Sequence, residues 1–160
     1  MFYCNGLDSE IVTDRYCTIP LLTLQDNPYN LVQGDSVVAI VTATNLYLEG
    51  PASLPGSGAI IVLVPNPPIG LADDKLVTNA YRIGFTWNDD INTGGSPIIS
   101  YRITYDGSTG TWSTLAIGVM PRKYMTTVTL TPRKDYTFKV EALNSVGYSL
   151  TSASITILCA

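Results

Sequence analysis

Histidine is absent from this sequence of 160 residues, and charged side chains are scarce. Asp, Glu, Lys and Arg make up 14% of the chain, against about 25% in a typical soluble domain. A serine or cysteine nucleophile needs a base within hydrogen-bond reach, so the lack of histidine excludes the usual catalytic triads. The net charge of −4 and the lack of a basic run exclude a typical nucleic-acid-binding surface.

Long apolar runs and export signals are also missing. No stretch approaches the ~20 apolar residues of a membrane helix, so we expect no direct membrane insertion of this segment. Cysteine is limited to Cys4, Cys17 and Cys159, a poor zinc set without a CxxC pair or a histidine. The three thiols allow one disulfide and one free thiol outside the cell, or three reduced thiols in any compartment.

Two acidic pairs and two glycine pairs could suggest ligand sites. Calcium needs six to eight oxygen ligands, which neither Asp73-Asp74 nor Asp89-Asp90 supplies, so solvated turn acids are expected there. Neither Gly56-Ser57-Gly58 nor Gly94-Gly95 opens a helix, which argues against a phosphate site. We therefore expect no metal, no cofactor and no catalytic residue, and the protein is predicted not to be an enzyme.

Strand-forming and turn-forming residues take the place of the missing charge, and no segment has a sustained helical period. Alternation of apolar and polar residues favours short strands in the second half of the chain. Seven short strands in about 95 residues predict an all-β, two-sheet antiparallel sandwich. The predicted strands lie near residues 69–71, 81–87, 101–105, 112–119, 125–130, 136–142 and 154–159.

Aromatic residues on these strands could form either a ligand-binding cluster or a core. Alternation places Tyr81, Ile83, Phe85 and Trp87 on one face of the second strand, and Phe138 on the inner face of another. Core packing is the favoured interpretation of this pattern.

An internal repeat divides the chain. The pattern from Leu31 to Asn45 recurs from Leu130 to Asn144, 99 residues later. The same offset aligns residues 12–21 with the strand-like segment 111–120. Residues 60–64 resemble 155–159 at an offset of 95, which predicts a longer loop after Asn45 in the first copy.

A period near 100 residues is the size of a sandwich domain. We predict a complete module over residues 65–160 and a truncated copy over residues 1–64, with its later strands only. A proline-rich joint after Val64 separates them, because proline lacks the amide that a continuing strand needs.

Several spaced motifs of the second half are found together in one known family. They are Pro67-Pro68, Trp87, the Gly94-Gly95-Ser96-Pro97 loop before Tyr101, Leu130-Thr131-Pro132, Tyr136-x-Phe138-x-Val140-x-Ala142-x-Asn144 and Gly147-x-Ser149. With these motifs the second half resembles the fibronectin type III module, which implies a seven-stranded, immunoglobulin-like β-sandwich. In sandwich folds a tyrosine such as Tyr136 bonds back to upstream backbone, whereas the first copy has Val37 at that place.

Recognition on a rigid sandwich is usually placed on loops at one end, although such loops can also serve only as connections. The candidates are the loop over residues 88–97 and the loop around Tyr148, whose ring combines contact area with a hydrogen-bonding hydroxyl. The predicted protein-binding residues are Asp89, Asp90, Asn92, Val146 and Tyr148.

The resemblance implies a non-catalytic binding and spacer module in a tandem array, from a large multi-module protein of the cell surface or extracellular space. Its expected partners are other proteins or neighbouring modules of the same chain. The alternative is an accessory module of an extracellular enzyme such as a polysaccharide hydrolase. A third possibility is an intracellular cytoskeletal array, which predicts reduced cysteines.

Overall fold

The computed structural model describes residues 4–160, and the chain divides into two units, Met1–Ile61 and Val62–Ala160. The division falls three residues before the boundary that the proline-rich joint predicts. The reason is local, because the backbone amides of Leu63 and Asn66 donate to carbonyls of Gly94 and Asn92 in the second unit.

Two short helices open the first unit, α1 (Ser9–Asp14) and α2 (Leu21–Gln25). The strand-like alignment of residues 12–21 with residues 111–120 is therefore wrong, whereas the predicted all-β fold class is confirmed by the sheets described below. Asp8 begins α1 by accepting the amide of Glu10 at 3.0 Å, and Arg15 ends it in the left-handed conformation. A helix of five or six residues is too short for a 3.6-residue period to show in its sequence.

Two antiparallel strands complete the first unit, β1 (Ser36–Ala39) and β2 (Gly56–Ile60). Most side chains of this hairpin are exposed, including Val38 and Ile60. Ile61, directly after β2, is the only buried hydrophobic residue among the described part of this unit.

The second unit is a sandwich of seven strands in two antiparallel sheets, as the alternation predicts. One sheet has the order β3-β4-β7 and the other the order β6-β5-β8-β9. The strands are β3 (Ile69–Asp73), β4 (Gly84–Asn88), β5 (Ser100–Tyr105), β6 (Ser113–Val119), β7 (Lys123–Met125), β8 (Asp135–Leu143) and β9 (Ile155–Leu158).

Two strand predictions need correction. Tyr81 is 61% exposed and precedes β4, because the side chain of Asn79 accepts the Tyr81 amide in a turn.

The fifth strand of the sandwich, β7, ends at Met125, before most of the predicted segment. Beyond it Thr126 exchanges hydrogen bonds with Ile83 through its backbone amide and its hydroxyl, which replaces a regular ladder.

Aromatic side chains from both sheets form the core of the second unit, which confirms the interpretation of Phe85, Trp87 and Phe138 as core residues. The rings of Phe85 and Phe138 lie 4.8 Å apart, and those of Trp87 and Tyr101 lie 5.1 Å apart. Cys159 is a free thiol, completely buried in the same core.

The tyrosine corner is present in the second unit. The hydroxyl of Tyr136 accepts a hydrogen bond from the backbone amide of Thr131 at 2.9 Å. In the first unit the equivalent amide, that of Val32, donates to the carboxylate of Asp35 at 2.8 Å. Asp35 thus supplies the acceptor that Val37 lacks.

Hydrogen bonds around the loop after β1 repeat at the sequence offset of 99. The amide of Gly50 donates to the carbonyl of Ala43, and the amide of Ser149 donates to that of Ala142, both at 2.8 Å. The hydroxyls of Ser53 and Ser152 likewise accept the amides of Val41 and Val140, each at 3.0 Å.

The prediction of a longer loop after Asn45 in the first copy is therefore wrong. The offset stays at 99 as far as Gly56, and one extra residue in β2 between Gly56 and Ala59, opposite Val37 and Ala39, then reduces it to 98. The amide of Ile61 donates to the carbonyl of Asp35, and the amide of Cys159 donates in the same way to the carbonyl of Lys134. The sequence alignment matched the apolar residues 60–64 to residues 155–159. The strand that pairs with β1 is instead β2, which ends at Ile60.

Candidate functional site

The predicted site residues lie mainly on two loops at one end of the second unit, between β4 and β5 and between β8 and β9. Asp89 is the centre of a small polar cluster. Its carboxylate accepts the hydroxyl of Tyr101 and two guanidinium nitrogens of Arg122, at 2.9 and 2.7 Å. Asp89 therefore holds the end of β4 to β5 and to the turn before β7.

Burial, with the hydrogen bond to Asp89 second, raises the pKa of Tyr101 to about 12 against the opposing influence of Arg122. The hydrogen bond to Asp89 raises the pKa of the exposed Arg122 guanidinium. Tyr101 stays neutral and Arg122 stays charged at neutral pH, so neither side chain exchanges protons there. A cleft of about 520 Å³ beside them, lined also by Thr93 and Met120, can accept a side chain.

Asp90 and Asn92 shape the first loop and the segment that enters the unit. Asp90 Oδ1 accepts the amide of Asn92 at 2.9 Å and the side-chain amide of Asn66 at 3.0 Å. The side-chain oxygen of Asn92 accepts the amide of Gly94 at 2.9 Å. These two predicted site residues thus contact the chain's own residues 63–66.

Tyr148 is only partly buried, but one face of its ring is covered. The guanidinium carbon of Arg102 lies 4.2 Å from the ring centroid, on the strand β5. Arg102 also forms a two-pronged ion pair with Glu141 at 2.7 and 2.6 Å. Tyr148 is therefore joined to a sheet residue, and does not project freely from the loop as the sequence suggested.

Asn144, which the sequence indicates only as part of a motif, forms four hydrogen bonds through its side chain. It is 2% exposed. Its side-chain nitrogen donates to the carbonyls of Leu63 at 2.8 Å and Thr93 at 3.0 Å. Its oxygen accepts the amides of Val146 at 2.9 Å and Gly147 at 3.2 Å. The sequence signal that could have found it is its recurrence, since Asn45 lies 99 residues earlier.

Apolar side chains project from the same end. Ile91 is 100% exposed at the tip of the first loop and Val146 is 44% exposed at the tip of the second. Within residues 4–160, no three His, Cys, Asp or Glu side chains lie close enough to hold a metal ion. The two described helices are too short and too polar to cross a bilayer.

A family model described as "Fibronectin type III domain" matches residues 75–157, just over half of the chain. The chain belongs to the fibronectin type III family. The match includes the two loops of the candidate site, whereas residues 63–66 precede it.

Several solved structures are similar to this chain in fold. Domains A168–A170 of titin match 75% of this chain, with a TM-score of 0.58 and 22% identity. A human fourth FNIII domain matches 61% of it, with a TM-score of 0.53 and 22% identity, and the twitchin kinase region from C. elegans matches 61%, with a TM-score of 0.51 and 23% identity.

The matched parts are 39% of the titin structure, 80% of the human domain and 17% of the twitchin structure. At these identities the likeness is one of fold. For a fibronectin type III domain of this fold, the assignment of a site depends on the loop geometry described above.

Proposed function

We propose that this chain is a non-catalytic binding and spacer segment of a multi-module protein, with its partner-binding surface on the loop end of the second unit. The observation that carries the proposal is the repeat of hydrogen bonds 99 residues apart, around Asn45 and around Asn144. A titin structure and a twitchin structure that resemble the chain are themselves described as several domains or a kinase region with flanking parts.

Residues 1–64, which contain the whole first unit, are the C-terminal part of a second fibronectin type III module, and residues 65–160 form the complete one. Supporting this, β1 and β2 pair as β8 and β9 do, with Val37 opposite Ala59 and Tyr136 opposite Ile157. The acceptor role of Asp35 supports it further, since it satisfies the same amide as the corner tyrosine.

The protein acts at the cell surface or in the extracellular space, in keeping with adhesion. A disulfide joins Cys4 and Cys17, with Cα atoms 5.5 Å apart, and such bonds persist mainly in oxidising compartments. The disulfide favours this location over an intracellular array. When the protein is denatured without reductant, we expect thiol labelling of Cys159 alone. Labelling of all three cysteines would contradict the assignment.

Absence of catalysis is supported by chemistry. General acid–base work near pH 7 needs a group whose pKa lies near that value. At the loop end, the pKa of Tyr101 is about 12 and the pKa of Arg122 is raised above an already high value. Binding asks only for rigid contact residues, which the hydrogen-bonded loops provide.

The partner is a protein that covers Ile91 and Val146, with Asp89, Asp90, Asn92 and Tyr148 at the rim of the contact. Binding residues are commonly placed on loops that a rigid scaffold holds in position, and a partner that covers Ile91 and Val146 removes their apolar surface from water. The side chains of Ile91 and Val146 lie at the loop end of the sandwich, where the cleft at Asp89 also lies.

Site-specific cross-linking tests this surface. A photoreactive side chain placed at Ile91 or Val146 should cross-link a protein of the extracellular fraction of the source cells. The same group at Ile117, an exposed residue of the edge strand β6, is the control. Adducts should appear from both loop positions, and those from Val146 should be lost in an Ile91→Asp background. Equal adducts from Ile117 would contradict the loop assignment.

A further inference from the structure

The segment of residues 63–66, here called the linker, enters the second unit through two backbone hydrogen bonds. The amide of Leu63 donates to the carbonyl of Gly94 at 2.8 Å, and the amide of Asn66 donates to the carbonyl of Asn92 at 2.9 Å. Pro65 has no amide to offer. Two of the three backbone donors of the linker are therefore satisfied by one loop.

Side chains reinforce this contact from both loops. Asn144 donates to the carbonyl of Leu63 at 2.8 Å and to the carbonyl of Thr93 at 3.0 Å, so one side-chain amide joins the linker and the first loop. The side-chain amide of Asn66 donates to Asp90 at 3.0 Å. Because Asn144 is almost fully buried, loss of these bonds would leave a polar group without a partner.

Gly94 allows the close approach of the linker. Its φ of +78° lies in the region that favours glycine. A Cβ atom at this position would lie 2.1 Å from the carbonyl oxygen of Leu63. On the other side, Val64 Cγ1 lies at ordinary packing distance, 3.4 Å, from the Cβ position of Gly147. Both loops are thus shaped around the linker.

We propose that residues 92–94 and 144–147 form a binding site for an extended peptide segment, that the chain's own linker occupies this site, and that Asn144 is the residue that positions the linker backbone in it. The site recognises backbone, since three of its hydrogen bonds reach the amides and the carbonyl of residues 63 and 66. The linker is consequently part of the folded module and not a flexible tether.

The hydrogen bonds that Asn144 forms within its own loop have a counterpart at Asn45 in the first unit. The side-chain oxygen of Asn45 accepts the amides of Tyr47 at 2.9 Å and Leu48 at 3.1 Å, as that of Asn144 accepts the amides of Val146 and Gly147. In each loop the side-chain oxygen of the asparagine accepts amides of its own loop, and the side-chain nitrogen points away from these amides toward other groups. This gives an asparagine whose two functions can be separated by mutation.

Asn144→Asp is the variant that separates them. The remaining oxygen can still accept the local amides, but the donor to Leu63 and Thr93 becomes a carboxylate oxygen that faces two carbonyls. Asn45→Asp in the same full-length chain is the matched control. The probe is amide hydrogen exchange at Leu63 and Asn66, with Ile103 in the core as a reference for folding.

In the wild-type chain we expect the amides of Leu63 and Asn66 to be protected to an extent comparable with strand amides. Asn144→Asp should accelerate their exchange about tenfold or more, as expected for loss of a hydrogen bond to a buried group, while Ile103 stays protected. Asn45→Asp should leave Leu63 unchanged. Gly94→Ala should also release Leu63, because its Cβ would occupy the place of the carbonyl.

Unprotected Leu63 and Asn66 amides in the wild-type chain would overturn the proposal, whether or not any variant folds. Unchanged exchange of Leu63 in folded Asn144→Asp would also overturn it. Since these measurements involve no external partner, they are independent of the cross-linking test at Ile91.

Discussion

At the scale of the residue, Tyr136 joins two tasks in one side chain. Its ring lies in the core, and its hydroxyl accepts the amide of Thr131 at 2.9 Å. Tyr136→Phe keeps the ring and removes the acceptor, so the second unit should lose about 1–3 kcal/mol of unfolding free energy. Denaturant titration followed by tryptophan fluorescence measures this. Tyr81→Phe, on an exposed ring, is the control, and an equal midpoint for both variants would contradict the corner role.

Asp106 links the end of β5 to β8. Its carboxylate accepts the amides of Ser108 at 3.0 Å and Thr137 at 2.9 Å. Burial, the largest single influence, raises the pKa of Asp106, but the hydrogen bonds from Thr137 and Ser108 together outweigh it, and the net shift is downward.

Because the pKa of Asp106 is lower in the folded state than in the unfolded state, its carboxylate contributes its full stabilisation at pH values above the unfolded-state pKa of about 3.9. This contribution is lost as the pH falls through the folded-state pKa. Asp106→Asn should therefore cost about 1 kcal/mol at pH 7 and less at pH 3. Urea titrations at both pH values measure the difference. A gap between wild type and variant that widens at pH 3 would refute the assignment.

Individual residues differed in how far the sequence predicted them. Phe85, Trp87 and Phe138 were predictable as core because alternation along a strand reports which face is buried. Tyr81 continued the same alternation but is exposed, because the side chain of Asn79 forms a turn there. Asn144 could not be assigned a role from local pattern, since its partners Leu63 and Thr93 lie 81 and 51 residues away.

At the scale of the element, the connection from β8 to β9 depends on serine hydroxyls. Ser152 is buried, and its hydroxyl accepts the amide of Val140 at 3.0 Å and donates to the carbonyl of Ala153 at 2.8 Å. These bonds satisfy backbone groups where the chain leaves the ladder between the two strands.

Ser152→Ala should destabilise the second unit by about 1–3 kcal/mol, because the amide of Val140 is left buried without a partner. Ser53→Ala is the matched control, since Ser53 bonds Val41 in the same way at an exposed position and water can replace the hydroxyl. Thermal unfolding monitored by far-ultraviolet circular dichroism, which reports on the backbone of both units, gives the comparison. A Ser152→Ala midpoint equal to wild type would show that the bond contributes nothing.

Elements with a long alternating pattern were predictable, and short or irregular ones were not. The prediction of β8 succeeded because four alternate residues of it are apolar or aromatic on one face. The segment after Met125 alternates as well, but Thr126 takes backbone bonds with its hydroxyl and ends the ladder. The helices α1 and α2 depend on an end cap and a proline, signals that periodicity does not detect.

At the scale of the whole molecule, the two units differ in how much apolar surface they cover. Aromatic and aliphatic side chains of β8 are buried, including Phe138 and Val140, whereas their counterparts at 99 residues' distance, Ala39 and Val41, are exposed. A copy that holds only the later strands of a module, as proposed for residues 1–64, keeps the pairing of its last strands but lacks the sheet that would cover them.

Unequal burial leads to unequal stability. Hydrophobic burial is the main term that opposes the loss of chain entropy on folding, and Val38, Ile40 and Val41 remain exposed in the first unit. In the monomeric chain we expect backbone amides of residues 31–60 to exchange at least about 100-fold faster than those of residues 100–143, a difference of nearly 3 kcal/mol in local opening free energy. Mass-spectrometric hydrogen exchange on the intact chain measures both segments in one sample.

Sedimentation at the same concentration serves as the control, because association of two chains could cover the exposed hairpin. Equal protection of both segments in a chain shown to be monomeric would mean that the first unit is stable by itself, and the proposal that it is the later part of a larger module would fail.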